Sequence, residues 1–267
     1  MNVERLVAPA KLTVSLRITG VRADGYHLID AVMTTLALHD EITVEAITVE
    51  AITAEAITAE EITVAADRDV TELEFDGPFS DGIPTDSTNL VARALHLCGR
   101  HARVRVTKNI PHGGGLGGGS ADAAAVLRWA GFDDLEAASR IGADIPFCMV
   151  GGRARVTGIG EIIEPMRRDP RDYTLIIPPL SVSTPRVYAA WDELGGPRCD
   201  RDRNPNDLES AAMVVEPELR RWKNLIGDAL GTEPILAGSG ATWFVEGRHS
   251  ASASTLPGAR VVETTGF

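Results

Sequence analysis

The segment with the clearest potential for chemistry is a glycine-rich loop, because six of the seven residues from 113 to 119 are glycine. Glycine loses more backbone freedom on folding than any other residue, so such a cluster needs a functional reason. Glycines let successive backbone N–H groups converge on one anion. The alanine-rich run from about Ser120 predicts a helix whose free N–H groups and positive dipole end point at the same place. The sequence therefore predicts a phosphate-binding loop.

Three known glycine patterns fit this loop to different degrees. The Walker A pattern, GxxxxGK[ST], almost fits residues 113–120, but Gly119 stands where a lysine is required. The dinucleotide-binding pattern, GxGxxG, is matched formally by Gly113, Gly115 and Gly118. That match has little weight, because a run so rich in glycine satisfies many patterns and this one does not follow the first strand of the chain. The third pattern, P-x-x-x-G-L-G-[SG]-[SG]-[SA], fits residues 111–120 in full.

The third pattern resembles the phosphate loop of the GHMP kinases, a superfamily that includes galactokinase, homoserine kinase and mevalonate kinase. Further stretches resemble one branch of these kinases, in the same order along nearly the whole chain: APAK, DGYH, GLGGGSADAAAVL, GADIPF, NDLE and LAGSGATWFV. The resemblance implies transfer of the γ-phosphate of ATP to the 2-hydroxyl of a methylerythritol unit that carries cytidine diphosphate, a step of isoprenoid precursor biosynthesis. It also implies an α+β fold of two lobes, with ATP and substrate in the cleft between them.

Two charged residues receive catalytic roles from this resemblance. Asp144, in GADIPF, matches the catalytic aspartate and would accept the proton of the attacking hydroxyl. Lys11, in APAK, matches the active-site lysine and would offset the negative charge that develops on the phosphoryl group. Lys11 also interrupts an apolar strand pattern, where a lysine is unusual. At the position of Thr13 the family usually has asparagine.

The resemblance also implies two binding surfaces. The phosphates of ATP would lie against the loop and the helix start, which comprise Pro111, Gly113, Gly114, Gly115, Leu116, Gly117, Gly118, Gly119, Ser120 and Ala121. The substrate, whose cytosine could stack on an aromatic ring, would contact Tyr26, His27, Thr184, Tyr188, Gly238, Ser239 and Gly240. Mg²⁺ is expected with ATP, and Ser120 is the best candidate to contact it, because the sequence offers no obvious acidic ligand.

Charge and composition narrow the choice of partner and compartment. The formal net charge of −12 argues against binding of duplex nucleic acid, which needs a broad basic face. The start of the chain lacks the unbroken apolar stretch of a signal peptide, and no apolar run approaches the ~20 residues that span a bilayer. Cys98, Cys148 and Cys199 lie far apart and are predicted to be free thiols. We therefore expect a cytoplasmic protein with a small-molecule partner and neither nucleic acid nor membrane; the oligomeric state stays open.

The elements that position these motifs mix strands and helices without a regular βαβ alternation, which predicts an α+β chain. We predict two domains, an ATP-binding one over residues 1–155 and a second over 156–267. The first strand is predicted to break at Pro9, and a helix to begin after a cap at Ser87 or Thr88. A five-residue repeat over residues 40–64 turns successive isoleucines to opposite strand faces, so we predict an expanded surface hairpin without chemistry.

Three other functions stay open from the sequence. Another GHMP kinase, such as homoserine kinase, would share the glycine loop, but DGYH and GADIPF argue against it. A nucleotide-binding protein without turnover is compatible with Thr13, although retention of both Lys11 and Asp144 argues against it. A nicotinamide-dependent oxidoreductase would use the same loop as a dinucleotide site, and absence of nicotinamide binding would exclude it.

Overall fold

The computed structural model describes residues 3–47, 71–197 and 204–267. In these ranges the strands are β1 (Val3–Val21), β2 (His27–Ala46), β3 (Glu72–Asp76), β4 (Ala102–Thr107), β5 (Arg153–Gly158), β6 (Ile162–Pro165), β7 (Arg171–Ile177), β8 (Ile235–Leu236), β9 (Trp243–Glu246) and β10 (Arg260–Gly266). The helices are α1 (Leu90–Leu97), α2 (Gly118–Trp129), α3 (Leu135–Ser139), α4 (Ile145–Val150), α5 (Thr184–Leu194), α6 (Glu209–Val215), α7 (Glu218–Leu230) and α8 (Ser250–Ala253).

Strand β2 organises the sheet because it is long enough to pair with several partners. Along one edge it forms an antiparallel hairpin with β1, from the pair Val21–His27 to the pair Val3–Glu45. Its other edge pairs with β5 and β4, and with β10 through Leu36 and Gly266. The strand order β3-β4-β2-β10-β7-β9-β8 therefore joins an N-terminal group of strands to a C-terminal group.

The predicted break at Pro9 is wrong, because β1 is one continuous strand. Its register against β2 shifts between Pro9 and Lys11, as it does at two later points. Proline cannot donate to a β ladder, so it is tolerated within a strand mainly at an edge or at such an irregularity. A local bulge thus absorbs the proline without ending the strand.

Helix α2 carries the glycine loop against the N-terminal sheet and packs on α1, α4 and β1. Its residues from Ala121 to Leu127 are buried, and the small alanine side chains allow close approach of its backbone to these neighbours. The helix begins at Gly118, two residues before the predicted start at Ser120. Helix α1 also begins differently from the prediction, because Asn89 is its cap and accepts a hydrogen bond from the Val91 amide at 2.8 Å.

Several other expectations can be compared with the described residues. The repeat is described as far as residue 47, within and just after β2, and residues 48–64 lie outside the described ranges. Cys98 and Cys148 are free thiols, as predicted, and Cys199 lies outside those ranges. The two-domain division stays a prediction, and its boundary at 155 falls inside β5. No helix in the described part of the chain has the length and apolar character needed to cross a membrane.

Candidate active site

The glycine loop is held between β1 and the turn that connects β8 to β9. The Lys11 N–H donates to the carbonyl of Leu116 at 3.0 Å. On the other side, the Thr242 N–H donates to the carbonyl of Gly114 at 3.3 Å. Two backbone hydrogen bonds from opposite sides therefore fix the loop, and its end leads directly into α2.

Two loop positions require glycine for both conformation and space. Gly115 has φ +77°, and a Cβ atom there would lie 2.4 Å from the carbonyl oxygen of Ala237. Gly117 has φ +69°, and a Cβ atom there would lie 2.8 Å from Cγ of Lys11. Positive φ is strained for other residues, and neither contact leaves room for a side chain. The glycines thus allow the loop to approach both Lys11 and the β8–β9 turn.

Lys11 and Asp144 form an ion pair beside this loop. Nζ of Lys11 lies 3.1 Å from Oδ2 of Asp144, and the two side chains are 6% and 33% exposed. Nζ also donates to Oγ1 of Thr13 at 3.2 Å. Asp144 occupies the N-cap position of α4, yet its side chain makes no capping hydrogen bond. Its carboxylate is therefore directed to the lysine and remains partly accessible to solvent.

Tyr188 connects this ion pair to the predicted base pocket. Burial raises the pKa of the Tyr188 phenol to about 12, and the negative charge of Asp144 contributes in the same direction. The phenol is therefore neutral at physiological pH. The effect of the Asp144 charge on this phenol indicates that the predicted base Asp144 and the predicted stacking residue Tyr188 lie near each other.

His27 is packed against α5 at the same site. The ring centroids of His27 and Tyr188 are 4.8 Å apart, and the Trp191 ring meets His27 edge-on at 5.5 Å. The structure brings His27 and Tyr188 together, as the sequence analysis expected of a shared pocket. Tyr26 differs, because it is 59% exposed and its hydrogen bonds to Arg22 and Asp24 stay within its own turn.

A second glycine turn, formed by residues 238–240 between β8 and β9, lies next to the glycine loop. Gly238, Ser239 and Gly240 are all buried. The Ser239 hydroxyl lies 2.7 Å from the hydroxyl of Thr184, which begins α5. This contact links the turn to the helix that carries Tyr188, while direct contact of these residues with substrate stays a prediction.

The chain is similar to known kinases of one family. The family model described as GHMP kinases N terminal domain matches residues 88–152. The 4-diphosphocytidyl-2-C-methyl-D-erythritol kinase of Paracoccus denitrificans is 33% identical over 260 residues, which cover 90% of this chain and 85% of that protein. The chain belongs to the 4-diphosphocytidyl-2-C-methyl-D-erythritol kinase family. The corresponding kinase of Ruegeria pomeroyi is also 33% identical, over 89% of this chain and 86% of that protein.

Solved structures confirm the predicted α+β fold of the GHMP kinases. A crystal structure of a 4-(cytidine 5'-diphospho)-2C-methyl-D-erythritol kinase is 29% identical, covers 99% of this chain and all of that chain, and has a TM-score of 0.71. The homoserine kinase of Cytophaga hutchinsonii is 14% identical with a TM-score of 0.59, and this likeness shows the fold alone.

A buried ionic cluster that was not predicted from the sequence lies next to the glycine loop. Nζ of Lys108 donates to the carboxylates of both Asp40 and Asp122. The other oxygen of Asp40 accepts from the amides of Asn109 and Ile110, at 2.5 and 2.7 Å. The cluster therefore ties β2, the approach to the loop and α2 together. Two features of the sequence could have indicated this cluster. Lys108 lies shortly before the glycine loop, and Asp122 lies within an alanine-rich helix.

The described residues of this cluster carry two carboxyl groups and one ammonium group. Burial raises the pKa of Asp122 to about 7, because the attraction of Lys108 is opposed by the charge of Asp40. Oδ1 of Asp122 is buried and has no hydrogen-bond partner among the described residues. Asp40 and Asp122 therefore share the ammonium ion of Lys108, near the start of α2.

The NDLE segment, to which the sequence analysis gave no role, also shapes the site. Nδ2 of Asn206 donates to the carbonyls of Leu236 and Gly238, at 2.8 and 2.7 Å. Oδ2 of Asp207 accepts from the Ile18 amide of β1 at 3.0 Å. Asn206 and Asp207 therefore hold the turn between β8 and β9 in position relative to β1.

The described residues give limited support for a protein-built metal site. In residues 3–47, 71–197 and 204–267, no group of three or more His, Cys, Asp or Glu side chains could hold a metal ion. A hydroxyl from Ser120 could serve as a single oxygen ligand at the start of α2, and this contact stays a prediction. Mg²⁺ usually binds nucleotide phosphates with only one or two protein ligands, so this donor set fits an ion carried mainly by ATP.

Proposed function

We propose that this chain is a 4-diphosphocytidyl-2-C-methyl-D-erythritol kinase, which transfers the γ-phosphate of ATP to the 2-hydroxyl of its substrate. The observation that carries this proposal is the Lys11–Asp144 ion pair, 3.1 Å long, beside a phosphate loop of the GHMP type. Identity of 33% with named relatives over about nine-tenths of the chain supports the same activity.

Asp144 is the proposed general base. In the reaction the substrate hydroxyl oxygen bonds to the γ-phosphorus while the bond from that phosphorus to the β–γ bridging oxygen breaks, and ADP leaves. The hydroxyl proton passes to Asp144, whose side chain is partly accessible and makes no capping bond. Lys11 is the proposed electrostatic partner, because its ammonium group lies beside both the base and the loop.

The glycine loop and α2 are proposed to hold the phosphates of ATP. The glycine loop leads directly into α2, whose Gly117 cap supplies no side-chain hydrogen bond to the free N–H groups of the first turn, and the helix dipole favours negative charge there. When Mg²⁺ is bound it neutralises phosphate charge, and Ser120 is the residue that would contact it. We also propose that the chain forms two lobes, with their boundary near residue 155.

The cytidine group is proposed to lie against α5. Tyr188 offers a ring next to His27, and the charge of Asp144 acts on the Tyr188 phenol. Tyr26, Thr184 and the turn of Ser239 are proposed to complete the substrate surface. ATP and the base of the substrate would then occupy opposite sides of the ion pair.

A substrate panel with the purified full chain tests the proposal. ATP and Mg²⁺ are incubated with the cytidylated substrate, homoserine or mevalonate, and ADP release is followed together with the ³¹P spectrum of the product. We expect turnover and a new phosphomonoester signal with the cytidylated substrate alone. Turnover with homoserine would instead identify another GHMP kinase, and ATP binding without turnover on any acceptor would identify a nucleotide-binding protein.

A further inference from the structure

His27 has one of its two ring nitrogens fixed by a partner on α5. Nε2 of His27 lies 2.7 Å from Oδ1 of Asp192, and the two side chains are 9% and 50% exposed. An ionised carboxylate can only accept hydrogen bonds, so Nε2 must carry the proton of this contact. Asp192 therefore determines which tautomer a neutral His27 adopts.

The second ring nitrogen is then left as an acceptor. In a neutral imidazole, protonation at Nε2 leaves a lone pair on Nδ1. No residue in the described ranges makes a hydrogen bond to Nδ1 of His27. Tyr188 and Trp191 hold the ring from two sides, so its orientation is restricted. The protein thus presents one acceptor nitrogen from a ring with a fixed tautomer.

We propose that Asp192 is a specificity-determining residue, which makes His27 an acceptor and thereby selects a cytosine base over uracil. This inference rests on the proposed function and deepens it. Cytosine carries an amino group at position 4, whereas a uracil base carries a carbonyl oxygen there. When Nδ1 is an acceptor, it can accept a hydrogen bond from the amino group of cytosine. The carbonyl oxygen of uracil would instead place its own lone pair against the lone pair of Nδ1, and the two would repel each other. Selection would therefore come from repulsion of the wrong base as well as from attraction of the correct one.

Asp192 acts through His27 and is not itself expected to touch the reacting atoms. Asp192 is half exposed, and an ion pair with a partner so accessible to water contributes little to stability, so removal of Asp192 should leave the fold intact. Glu193 offers a matched control, because it is the adjacent exposed acid on α5 and its loss changes the net charge by the same amount. The variants Asp192→Ala and Glu193→Ala therefore separate the specific contact from a general effect of charge.

The tautomer can be measured on the free protein without any ligand. In protein labelled with ¹⁵N at histidine, long-range ¹H–¹⁵N spectra at pH 8 report which ring nitrogen of His27 is protonated. We expect the Nε2–H form in the wild type and in Glu193→Ala, and a mixture of tautomers in Asp192→Ala. Protonation of Nδ1 in the wild type would overturn the inference.

The selection can be measured by titration with CDP and UDP, which differ in the edge of the base. We expect the wild type and Glu193→Ala to prefer CDP by about tenfold or more, and Asp192→Ala to lose most of that ratio. The KM for ATP should stay unchanged in all three proteins. An unchanged CDP/UDP ratio in Asp192→Ala, in an enzyme that turns over its cytidylated substrate, would overturn this inference alone. Binding of neither nucleotide by the wild type would overturn both the inference and the proposed function.

Discussion

Gly117 lies so close to Lys11 that a Cβ atom at residue 117 would come within 2.8 Å of the lysine's Cγ and 3.1 Å of its Cε. The lysine stem therefore packs on the loop backbone, while its ammonium group reaches Asp144. Loop conformation and lysine position depend on each other for this reason. A change at either residue should affect both phosphate binding and the ion pair.

Gly117→Ala should weaken ATP binding by about tenfold or more, because the added methyl group displaces the Lys11 stem or the loop. Gly131→Ala is the matched control, since Gly131 has a similar φ of +72° but open space around its Cβ position. Both variants strain the backbone by about 1 kcal/mol, yet only the first has a steric contact. Calorimetric titration with ATP, together with a thermal melt, separates the two effects. Equal ATP affinity in both variants would contradict the placement of the phosphates at this loop.

Asp144→Asn should lower kcat by roughly 10²–10⁴ if the carboxylate is the general base, because the amide cannot accept the proton. The dissociation constant for ATP should change little, since the phosphates contact the loop. Asp133→Asn removes an exposed carboxylate from the preceding segment and should behave as wild type. Steady-state kinetics with both substrates provide the measurement. A near-normal kcat in Asp144→Asn would exclude the residue as the base.

Asp122 should make the stability of the enzyme dependent on pH. Its pKa is raised by burial to about 7 from an ordinary value of 3.8, so the folded state binds a proton that the unfolded state releases. The free energy of unfolding should therefore fall as pH rises from about 4 through 7, by on the order of 1–4 kcal/mol. Lys108, Asp40 and the buried thiol of Cys148 are the titratable groups that act on or near this carboxyl.

Asp122→Asn should flatten this dependence, because an amide does not titrate. Denaturant melts at pH 5 and pH 8 should show a smaller difference for the variant than for the wild type. Asp228→Asn, which changes an exposed residue of α7, should retain the wild-type difference. Parallel pH profiles for wild type and Asp122→Asn would show that Asp122 is ionised in the folded protein throughout this range.

The motifs could be predicted from the sequence, but the contacts between residues far apart in the chain could not. The glycine loop, Lys11 and Asp144 were predicted because short, specific patterns mark them. The choice of Asn89 as the cap of α1 could not be predicted, because three successive residues there can all cap a helix and only the backbone path decides.

The partners of the charged side chains could not be predicted from the sequence either. Lys108 and Asp40 lie 68 residues apart, and their pairing depends on β2 and β4 being adjacent in the sheet. The His27–Asp192 contact has the same origin, since 165 residues separate its partners. The hydrophobic pattern predicts which faces are buried but not which polar groups meet there.

Tyr188 is the residue whose substitutions best test the arrangement of the two nucleotides. Stacking on an aromatic ring is worth about 1–3 kcal/mol per base in single-strand nucleic-acid binding, and this range serves as the scale here. Tyr188→Ala should therefore raise the KM for the cytidylated substrate by roughly 5- to 150-fold. Tyr188→Phe should have almost no effect, because it keeps the ring and removes only the hydroxyl group, which is neutral at physiological pH.

The KM for ATP should stay constant in both variants, because ATP is placed on the loop side of the Lys11–Asp144 pair. Equal damage from Tyr188→Phe and Tyr188→Ala would show that the hydroxyl, and not the ring, interacts with the substrate. A rise in the KM for ATP with an unchanged KM for the cytidylated substrate would reverse the assignment, with ATP lying against α5. The three outcomes differ in which kinetic constant moves, so one set of steady-state measurements distinguishes them.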